Sequence, residues 1–349
     1  MLNDRIEAAW IDAFAAVFDQ CAVRPGDHVA ILSETQSRSL NVHLAELALL
    51  RLDARAFHVV VPTQPPSAPV PVRSTGASQA LGGQGPAVTA LADSSLVVDL
   101  TVEGLLHAPE LPDILARGAR VLMVSNEHPE ALARLVPDPA LEPAVKAAVK
   151  EVRAAREMSV TSRVGTDLSV ALAEARTVGV WGYCDRPGTV AHWPGGVVVS
   201  FPARSSVNGT LVLDAGDVNL TFKRYLERPV TLRIHDDYVT DIAGEGTDAE
   251  LMRRYFAAWG DRDAYAVSHV GWGMNPRARY EALAMYGQRD TNGTELRAFA
   301  GNFLFSTGAN EFAGRYTAGH FDIPVRGCTI ALDGRAVVED GDLVGGEGP

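Results

Sequence analysis

The first 158 residues alternate continuous apolar runs of strand length with helical patterns, and this alternation constrains the fold more than any other feature. Strands that are apolar throughout are typical of a parallel sheet covered on both faces. The helices between them supply the crossover connections that parallel strands need. We therefore predict a parallel α/β domain over residues 1–158. The expected strands are 28–32, 57–61, 96–100 and 121–124, with a helix around 42–50 and a closing helix over 139–158.

From about residue 159 the pattern changes to short strands and turns, with one clear helix at 248–259. Asn208-Gly209 and Asp236-Asp237 are turn signals beside strand-like segments, which favours hairpins and an antiparallel sheet. We predict an antiparallel-rich, metal-bearing α+β domain over 159–349, so the fold class is α/β plus α+β. Two domains are also the default for 349 residues, which exceed what one core usually serves.

The stretch from Pro62 to Pro86 is dense in Pro, Gly, Ser and Ala. Such a composition buries little apolar surface, so we predict an exposed loop outside both cores. The stretch contains Gly82-Gly83-Gln84-Gly85, but it has neither the spacing of a dinucleotide fingerprint nor a strand directly before it. We therefore expect no dinucleotide site here.

Charge and composition exclude several classes of function. The net charge of −12, with no sustained Lys/Arg cluster, argues against nucleic acid as a partner. The longest apolar runs are of strand length, far short of a bilayer span. Asp4, Arg5 and Glu7 do not fit the apolar core of a leader peptide, and the three scattered cysteines form no disulfide framework. We expect a cytoplasmic protein that binds neither nucleic acid nor membrane.

The triplet His320-Phe321-Asp322 is the strongest chemical signal in the chain. Residues i and i+2 of an extended segment point to the same face, so this imidazole and carboxylate can converge on one ion. His269 would complete a set of two histidines and one carboxylate, which leaves open positions on non-haem Fe(II). A hydrogen-bonded pair that fixes a histidine tautomer is the simpler reading of the triplet, and spacing alone leaves it open.

Six blocks of sequence occur in an order that resembles one enzyme family. They are Leu-Leu-His-Ala-Pro-Glu at 105–110, His-Trp-Pro-Gly at 192–195, Gly-Thr-Leu-Val-Leu-Asp at 209–214, Ser-His-Val-Gly-Trp-Gly at 268–273, Gly-Asn-Phe-Leu-Phe-Ser-Thr-Gly at 301–308 and Gly-His-Phe-Asp-Ile-Pro at 319–324. Together they resemble the 2,5-dihydroxypyridine 5,6-dioxygenase family over most of the chain, but not in the stretch from Pro62 to Pro86.

The resemblance implies an enzyme of bacterial N-heterocycle breakdown that opens 2,5-dihydroxypyridine with O2 to give N-formylmaleamate. It implies one Fe(II) per chain, held by His269, His320 and Asp322. It also implies a fold related to that of certain metallo-aminopeptidases. The expected partners are thus a small aromatic N-heterocycle and O2, and we further expect a homo-oligomer.

Five further residues are candidates for catalysis or substrate binding. His107 is the first candidate for the acid–base group that ring cleavage needs, and His192 is the second. Without the resemblance, His107 would be read as a residue at a helix N-terminus and His192 as a loop histidine packed on Trp193. Arg297 is expected to bind an anionic substrate oxygen, with Ser306 and Trp193 as further substrate contacts. A surface ion pair is the alternative for Arg297, and a turn hydroxyl for Ser306.

Two other functions stay open on the sequence alone. A metal-dependent aminopeptidase of the related fold would need bridging carboxylates for a second ion, and Glu245 and Glu250 are the available candidates. A ligand-binding protein with a degenerate site is the non-enzymatic alternative, but all three expected metal-ligand positions are intact.

Overall fold

The computed structural model of the chain describes residues 4–65 and 78–345. The helices in this part are α1 (Ala8–Gln20), α2 (Ser39–Arg51), α3 (Gly85–Ala92), α4 (Leu111–Ala116), α5 (Pro129–Arg134), α6 (Leu141–Ala154), α7 (Gly246–Ala258), α8 (Ala282–Met285) and α9 (Thr294–Ala298), with 3-10 turns at Arg262–Tyr265 and Glu311–Ala313. The strands are β1 (His28–Glu34), β2 (Arg55–Val61), β3 (Leu96–Leu100), β4 (Arg120–Val124), β5 (Glu157–Ser162), β6 (Asp167–Ala171), β7 (Arg176–Val180), β8 (Val190–Trp193), β9 (Val197–Phe201), β10 (Val207–Leu213), β11 (Val218–Asn219), β12 (Arg224–Tyr225), β13 (Val230–His235), β14 (Tyr238–Ala243), β15 (Val267–Gly273), β16 (Phe303–Asn310), β17 (Arg315–Val325), β18 (Cys328–Leu332), β19 (Arg335–Glu339) and β20 (Asp342–Leu343).

The first sheet is parallel throughout, in the order β2-β1-β3-β4-β8. One of its faces packs on α1, α2 and α5, and the other packs on α3 and α4. Burial on both faces explains why β3 and β4 are apolar along almost their whole length. The predicted parallel α/β arrangement is confirmed.

Most of the later strands form two antiparallel sheets, and β11 and β12 form a separate short pair. One has eight strands in the order β14-β13-β10-β6-β5-β18-β19-β20, and the other has five in the order β17-β16-β15-β9-β7. Their inner faces share a single apolar core with residues of α6 and α7. This core contains Trp272 and Phe303, as expected for large apolar side chains. The predicted antiparallel-rich second part is therefore confirmed.

The domain boundary at residue 158 stays a prediction. The structure shows that a strand from beyond this boundary joins the first sheet, which the sequence did not suggest. Strand β8 lies beyond that boundary and pairs in parallel with β4, with Met123 opposite His192. The chain thus returns to the first sheet after β7, the first strand of the antiparallel five-stranded sheet, and before the other four strands of that sheet. The two parts are therefore interwoven at this point.

Two local expectations are wrong at residue level. Asn208-Gly209 lies inside β10 and is not a turn. Gly209 is needed there because a Cβ atom would collide with the backbone of Asp167 on the neighbouring strand. The closing helix α6 ends at Ala154, and Met158 already belongs to β5, where it is fully buried.

No helix in the described parts of the chain combines the length and the apolarity that crossing a bilayer demands.

The expectation for Pro62–Pro86 is wrong at its C-terminal end. Residues 66–77 lie outside the described residues, so the expectation is not addressed there. Leu81, by contrast, is 1% exposed and packs in the core between the first sheet, α3 and α4. The residues from Gly85 onward form α3, with Pro86 in its first turn, where a missing backbone N–H costs nothing. This end of the stretch is thus part of a core.

We predict that Leu81→Ala destabilises the protein by about 2–5 kcal/mol, because it removes buried methyl groups and leaves a cavity. The measurement is the free energy of unfolding from a denaturant titration. Leu50→Ala is the matched control, since Leu50 is 56% exposed on α2, and its effect should stay within about 0.5 kcal/mol. Equal effects of the two substitutions would contradict the assignment of Leu81 to a core.

Candidate metal centre

Strand β17 presents His320 and Asp322 on one face of the antiparallel five-stranded sheet. The intervening Phe321 and the following Ile323 point to the other face, where they are buried in the large core. This alternation follows from the two-residue period of a strand. The predicted convergence of the imidazole and the carboxylate is thus present in the structure.

A β-bulge brings His269 to the same place. On β16 one residue, Ser306, separates Phe305 from Thr307, whereas two residues of β15 separate their partners, Val270 and Val267. The extra residue rotates the β15 side chains locally, as bulges do beside functional sites. Ser306 lies opposite Asp322 on β17, so three adjacent strands contribute to one polar cluster.

The distances within this cluster suit ligands of one ion. Oδ1 of Asp322 lies 3.4 Å from Nε2 of His269 and 3.3 Å from Nε2 of His320. Ligand atoms about 2.1 Å from an ion at right angles to each other are about 3 Å apart. The Ser306 hydroxyl donates a hydrogen bond to the same carboxylate oxygen and lies 3.0 Å from Nε2 of His269.

A third imidazole, that of His107, faces this cluster from the first sheet. Ring nitrogens of His107, His269 and His320 all lie within 4.8 Å of one another, so these three histidines also form a possible metal-binding group. The His107 and His320 rings are 4.4 Å apart between centroids. His269 and His320 thus belong to two overlapping sets of possible metal ligands. The third member is the Asp322 carboxylate in one set and the His107 imidazole in the other.

The loop that carries His107 follows β3 at the carboxyl edge of the parallel sheet, where α/β proteins commonly bind ligands. The carboxylate of Asp99 accepts hydrogen bonds from the backbone N–H groups of Thr101 and Leu105, at 3.0 and 2.7 Å. Burial raises the pKa of Asp99, although these hydrogen bonds oppose the shift. Leu105 and Ala108 anchor the loop in the core beneath. His107 is therefore held in place on both sides.

Arg297 supplies the positive charge that faces Asp322. Its Nε lies 2.6 Å from Oδ2 of Asp322, and its Nη1 donates to Oγ1 of Thr294 at 3.2 Å. The ion pair with Asp322 is a contact that the sequence did not predict, and binding of substrate by Arg297 stays a prediction. The alternative of a surface pair with Glu295 is wrong, because Glu295 is buried and pairs with Arg134 at 2.8 Å.

The start of helix α9, which carries Arg297, is fixed by Glu127 in the loop between β4 and α5. The buried carboxylate of Glu127 accepts hydrogen bonds from the backbone N–H groups of Asn292, Gly293 and Thr294 at the start of this helix. A negative group is favourable at a helix N-terminus, where N–H groups have no partner inside the helix. Burial raises the pKa of Glu127, against the effect of these hydrogen bonds.

Burial and charge set the protonation of the cluster. Burial lowers the pKa of His269 to about 3 and also lowers that of His320, despite the nearby carboxylate. Burial alone would raise the pKa of Asp322, but Arg297 and the imidazoles hold it well below its usual value. Both imidazoles are therefore neutral and the carboxylate is ionised at neutral pH, as metal ligands must be.

His192 lies at the carboxyl end of β8, close enough for the charges of Arg297 and Asp322 to influence it. Its Nδ1 donates to the carbonyl oxygen of Pro194 at 2.6 Å, since a carbonyl oxygen only accepts. This bond leaves the lone pair on Nε2. Burial lowers the pKa of His192 to about 4, so the ring is neutral at physiological pH.

The structure does not place Trp193 in the cluster. Its side chain is fully buried in the core between the first sheet, α1, α2 and α5, and its ring lies 5.0 Å from that of Phe14 between centroids. Its Nε1 donates to the carbonyl oxygen of Leu135. Adjacent residues of a strand point to opposite faces, so Trp193 faces away from the side on which His192 lies. We correct the expected substrate contact to a core role.

Two residues beside the cluster were not singled out from the sequence. Glu311 accepts a hydrogen bond from Nδ1 of His107 at 3.3 Å, and the ring of Phe201 lies 5.1 Å from that of His269 between centroids. Both contacts join residues far apart in the chain, and no local spacing predicts them. By contrast, Glu245 and Glu250 pair with arginines on the surface.

Known proteins that resemble this chain in sequence and structure belong to one enzyme family. A family model described as NicX, 2,5-dihydroxypyridine 5,6-dioxygenase, matches residues 9–345. The chain is 40% identical over 323 residues to the 2,5-dihydroxypyridine 5,6-dioxygenase of Pseudomonas putida, and the match covers 91% of both chains. The structure of this chain is similar to that of the 2,5-dihydroxypyridine dioxygenase from Pseudomonas putida KT2440, with a TM-score of 0.91 and 38% identity. The match covers 98% of this chain and 99% of that one.

A more distant likeness concerns the fold alone. Wild-type AmpT from Thermus thermophilus has a TM-score of 0.63 at 15% identity, over 96% of this chain and 99% of that one.

We predict that His192 destabilises the metal-free protein in acid. Its pKa is about 4 when folded and about 6.5 when unfolded, so the unfolded state binds more protons between these values. The free energy of unfolding should fall as pH drops from about 6.5 to 4, by about 3 kcal/mol more in the wild type than in His192→Asn. Denaturant titrations across this range measure it, with the exposed His43→Gln as the control that should follow the wild type. Identical pH dependence in His192→Asn and wild type would refute it.

Proposed function

Because the chain belongs to the 2,5-dihydroxypyridine 5,6-dioxygenase family, we propose that it is an Fe(II)-dependent dioxygenase that opens 2,5-dihydroxypyridine with O2. The ring opens between carbons 5 and 6, both oxygen atoms enter the product, and the product is N-formylmaleamate. The observation that carries the proposal is the meeting of His269, His320 and Asp322 at ligand spacing in a chain that matches the family over nearly its full length.

The ion is assigned to His269, His320 and Asp322. These donors are neutral imidazoles and one ionised carboxylate, a set that suits Fe(II) and leaves three positions open on it. Bound Fe(II) supplies the redox chemistry that lets O2 react with an organic ring, which redox-silent Zn(II) does not. Asp322 would offer Oδ1 to the ion, because Oδ2 is paired with Arg297.

Arg297 has two tasks in this proposal. Its Nε fixes the orientation of the Asp322 carboxylate, as partners of metal ligands commonly do. Its remaining N–H groups provide positive charge for a deprotonated hydroxyl of the substrate, by charge-assisted hydrogen bonds. Ser306 and the neutral ring of His192 complete the polar wall around the substrate.

His107 is the proposed acid–base group. It stands opposite the sheet that carries the ligands, with its ring 4.4 Å from that of His320 between centroids. From this side it takes the proton of a substrate hydroxyl and returns a proton as the ring opens. A position outside the ligand set leaves its ring nitrogen available for both steps. Location in the cytoplasm and assembly into a homo-oligomer stay predictions from the sequence.

The proposed function predicts O2 uptake that depends on both the metal and the substrate. Iron-loaded protein mixed with 2,5-dihydroxypyridine under exclusion of air should consume one O2 per ring opened once oxygen is admitted. An oxygen electrode and mass spectrometry of the product in labelled oxygen measure this, with both atoms expected in the product. Catechol and pyridines with a single hydroxyl group are the comparison substrates. Absence of uptake with iron-loaded wild-type protein would disprove the function.

Metal content separates the two donor sets. His269→Ala, His320→Ala and Asp322→Ala should each lose most of the bound iron, because each removes a ligand. His107→Ala should keep its iron while turnover falls by about 10²–10⁴, the usual contribution of a positioned acid or base. Iron per chain from elemental analysis is the measurement. If His107→Ala loses its iron and Asp322→Ala keeps it, the three-histidine set holds the metal instead.

A further inference from the structure

Glu311 lies in a turn that the structure holds rigidly at the edge of the site. The 3-10 turn Glu311–Ala313 connects β16 to β17, and the side chain of Asn310 caps it by accepting from the N–H of Ala313. Nδ2 of Asn310 donates to the carbonyl oxygen of Pro202 at 3.0 Å, and Nε of Arg204 donates to that of Ala313 at 2.8 Å. The position of Glu311 is therefore fixed by backbone contacts on both sides.

The carboxylate of Glu311 contacts His107 between the first sheet and the antiparallel sheet that carries His269, His320 and Asp322. Oε1 of Glu311 lies 3.3 Å from Nδ1 of His107. The side chain of Glu311 is 35% exposed and that of His107 is 14% exposed. Burial alone would raise the pKa of Glu311, but the hydrogen bond to His107 lowers it.

The chemistry of the two groups decides the direction of the bond. An ionised carboxylate has no hydrogen to donate, so Nδ1 of His107 must carry the hydrogen. In the neutral imidazole the lone pair is then on Nε2. Free imidazole side chains in water populate both tautomers, so Glu311 removes one of the two choices.

We propose that Glu311 is the positioning residue of His107, holding it in the Nδ1–H tautomer with Nε2 turned toward the substrate. Glu311 touches neither substrate nor metal in this assignment and acts only through His107. The catalytic consequence rests on the proposed function, whereas the tautomer is a property of the metal-free protein. The two parts can therefore be tested separately.

The first test is the tautomer itself. Metal-free protein with ¹⁵N-labelled histidine at pH 8, above the ordinary pKa of histidine, gives separate nitrogen shifts for the two tautomers. His107, assigned by comparison with His107→Ala, should be Nδ1–H in the wild type and a mixture of tautomers in Glu311→Ala. Glu311→Gln keeps an acceptor oxygen and should keep the wild-type tautomer. An unchanged tautomer in Glu311→Ala overturns the proposal.

The second test is a double-mutant cycle on the iron-loaded enzyme. Glu311→Ala should lower kcat by about 10–100-fold, the usual effect of losing such a partner, with KM and iron content close to wild type. In a His107→Ala background the same substitution should cause no further loss, because Glu311 then has nothing to position. Glu311→Gln should recover most of kcat.

The controls separate a positioning role from a general structural one. Glu245→Ala removes a glutamate whose side chain is 90% exposed, and it should leave kcat unchanged. An equal loss from Glu311→Ala in both backgrounds would assign Glu311 a structural role and overturn the proposal. If wild-type protein fails to open 2,5-dihydroxypyridine, the proposed function fails, while the tautomer measurement still decides the role of Glu311.

Discussion

The carboxylate of Asp322 is the point on which the rest of the site depends. A buried carboxylate is costly unless it is paired, and Arg297 supplies the charge on one oxygen while Ser306 donates to the other. Because Oδ2 is committed to the guanidinium, Oδ1 is the oxygen left facing the imidazoles of His269 and His320. The ion pair therefore selects which oxygen is available to a metal, before any metal binds.

This dependence extends through α9 to the part of the chain that builds the first sheet. Glu127 holds the start of that helix, and Arg134 on α5 holds Glu295 within it, so this part of the chain fixes the helix that positions Arg297. The same part supplies His107, whose ring lies 4.4 Å from that of His320 between centroids. A change in the packing of the two parts would thus move His107 and the partner of Asp322 together. The site is a property of their contact, and neither part contains it alone.

The features that the sequence predicted correctly are those set by local geometry. His320 and Asp322 share a face because a strand repeats every two residues, whatever surrounds it. The bulge at His269 depends on pairing with β16, and the contact of Glu311 with His107 joins residues 204 positions apart. No local rule predicts either. The expected substrate contact of Trp193 is wrong because adjacent residues of a strand face opposite ways, so Trp193 points into the core while His192 points to the other side.

The fold that the chain shares with AmpT from Thermus thermophilus does not by itself decide the chemistry. A site for two ions needs carboxylates that bridge them, and the candidates Glu245 and Glu250 are paired with arginines on the surface. Among the described residues, the carboxylates that pair with the clustered imidazoles are those of Asp322 and Glu311. Glu311 faces Nδ1 of His107, which leaves Asp322 as the one carboxylate that meets both remaining imidazoles. Such a donor set suits a single ion with open positions, as a dioxygenase requires.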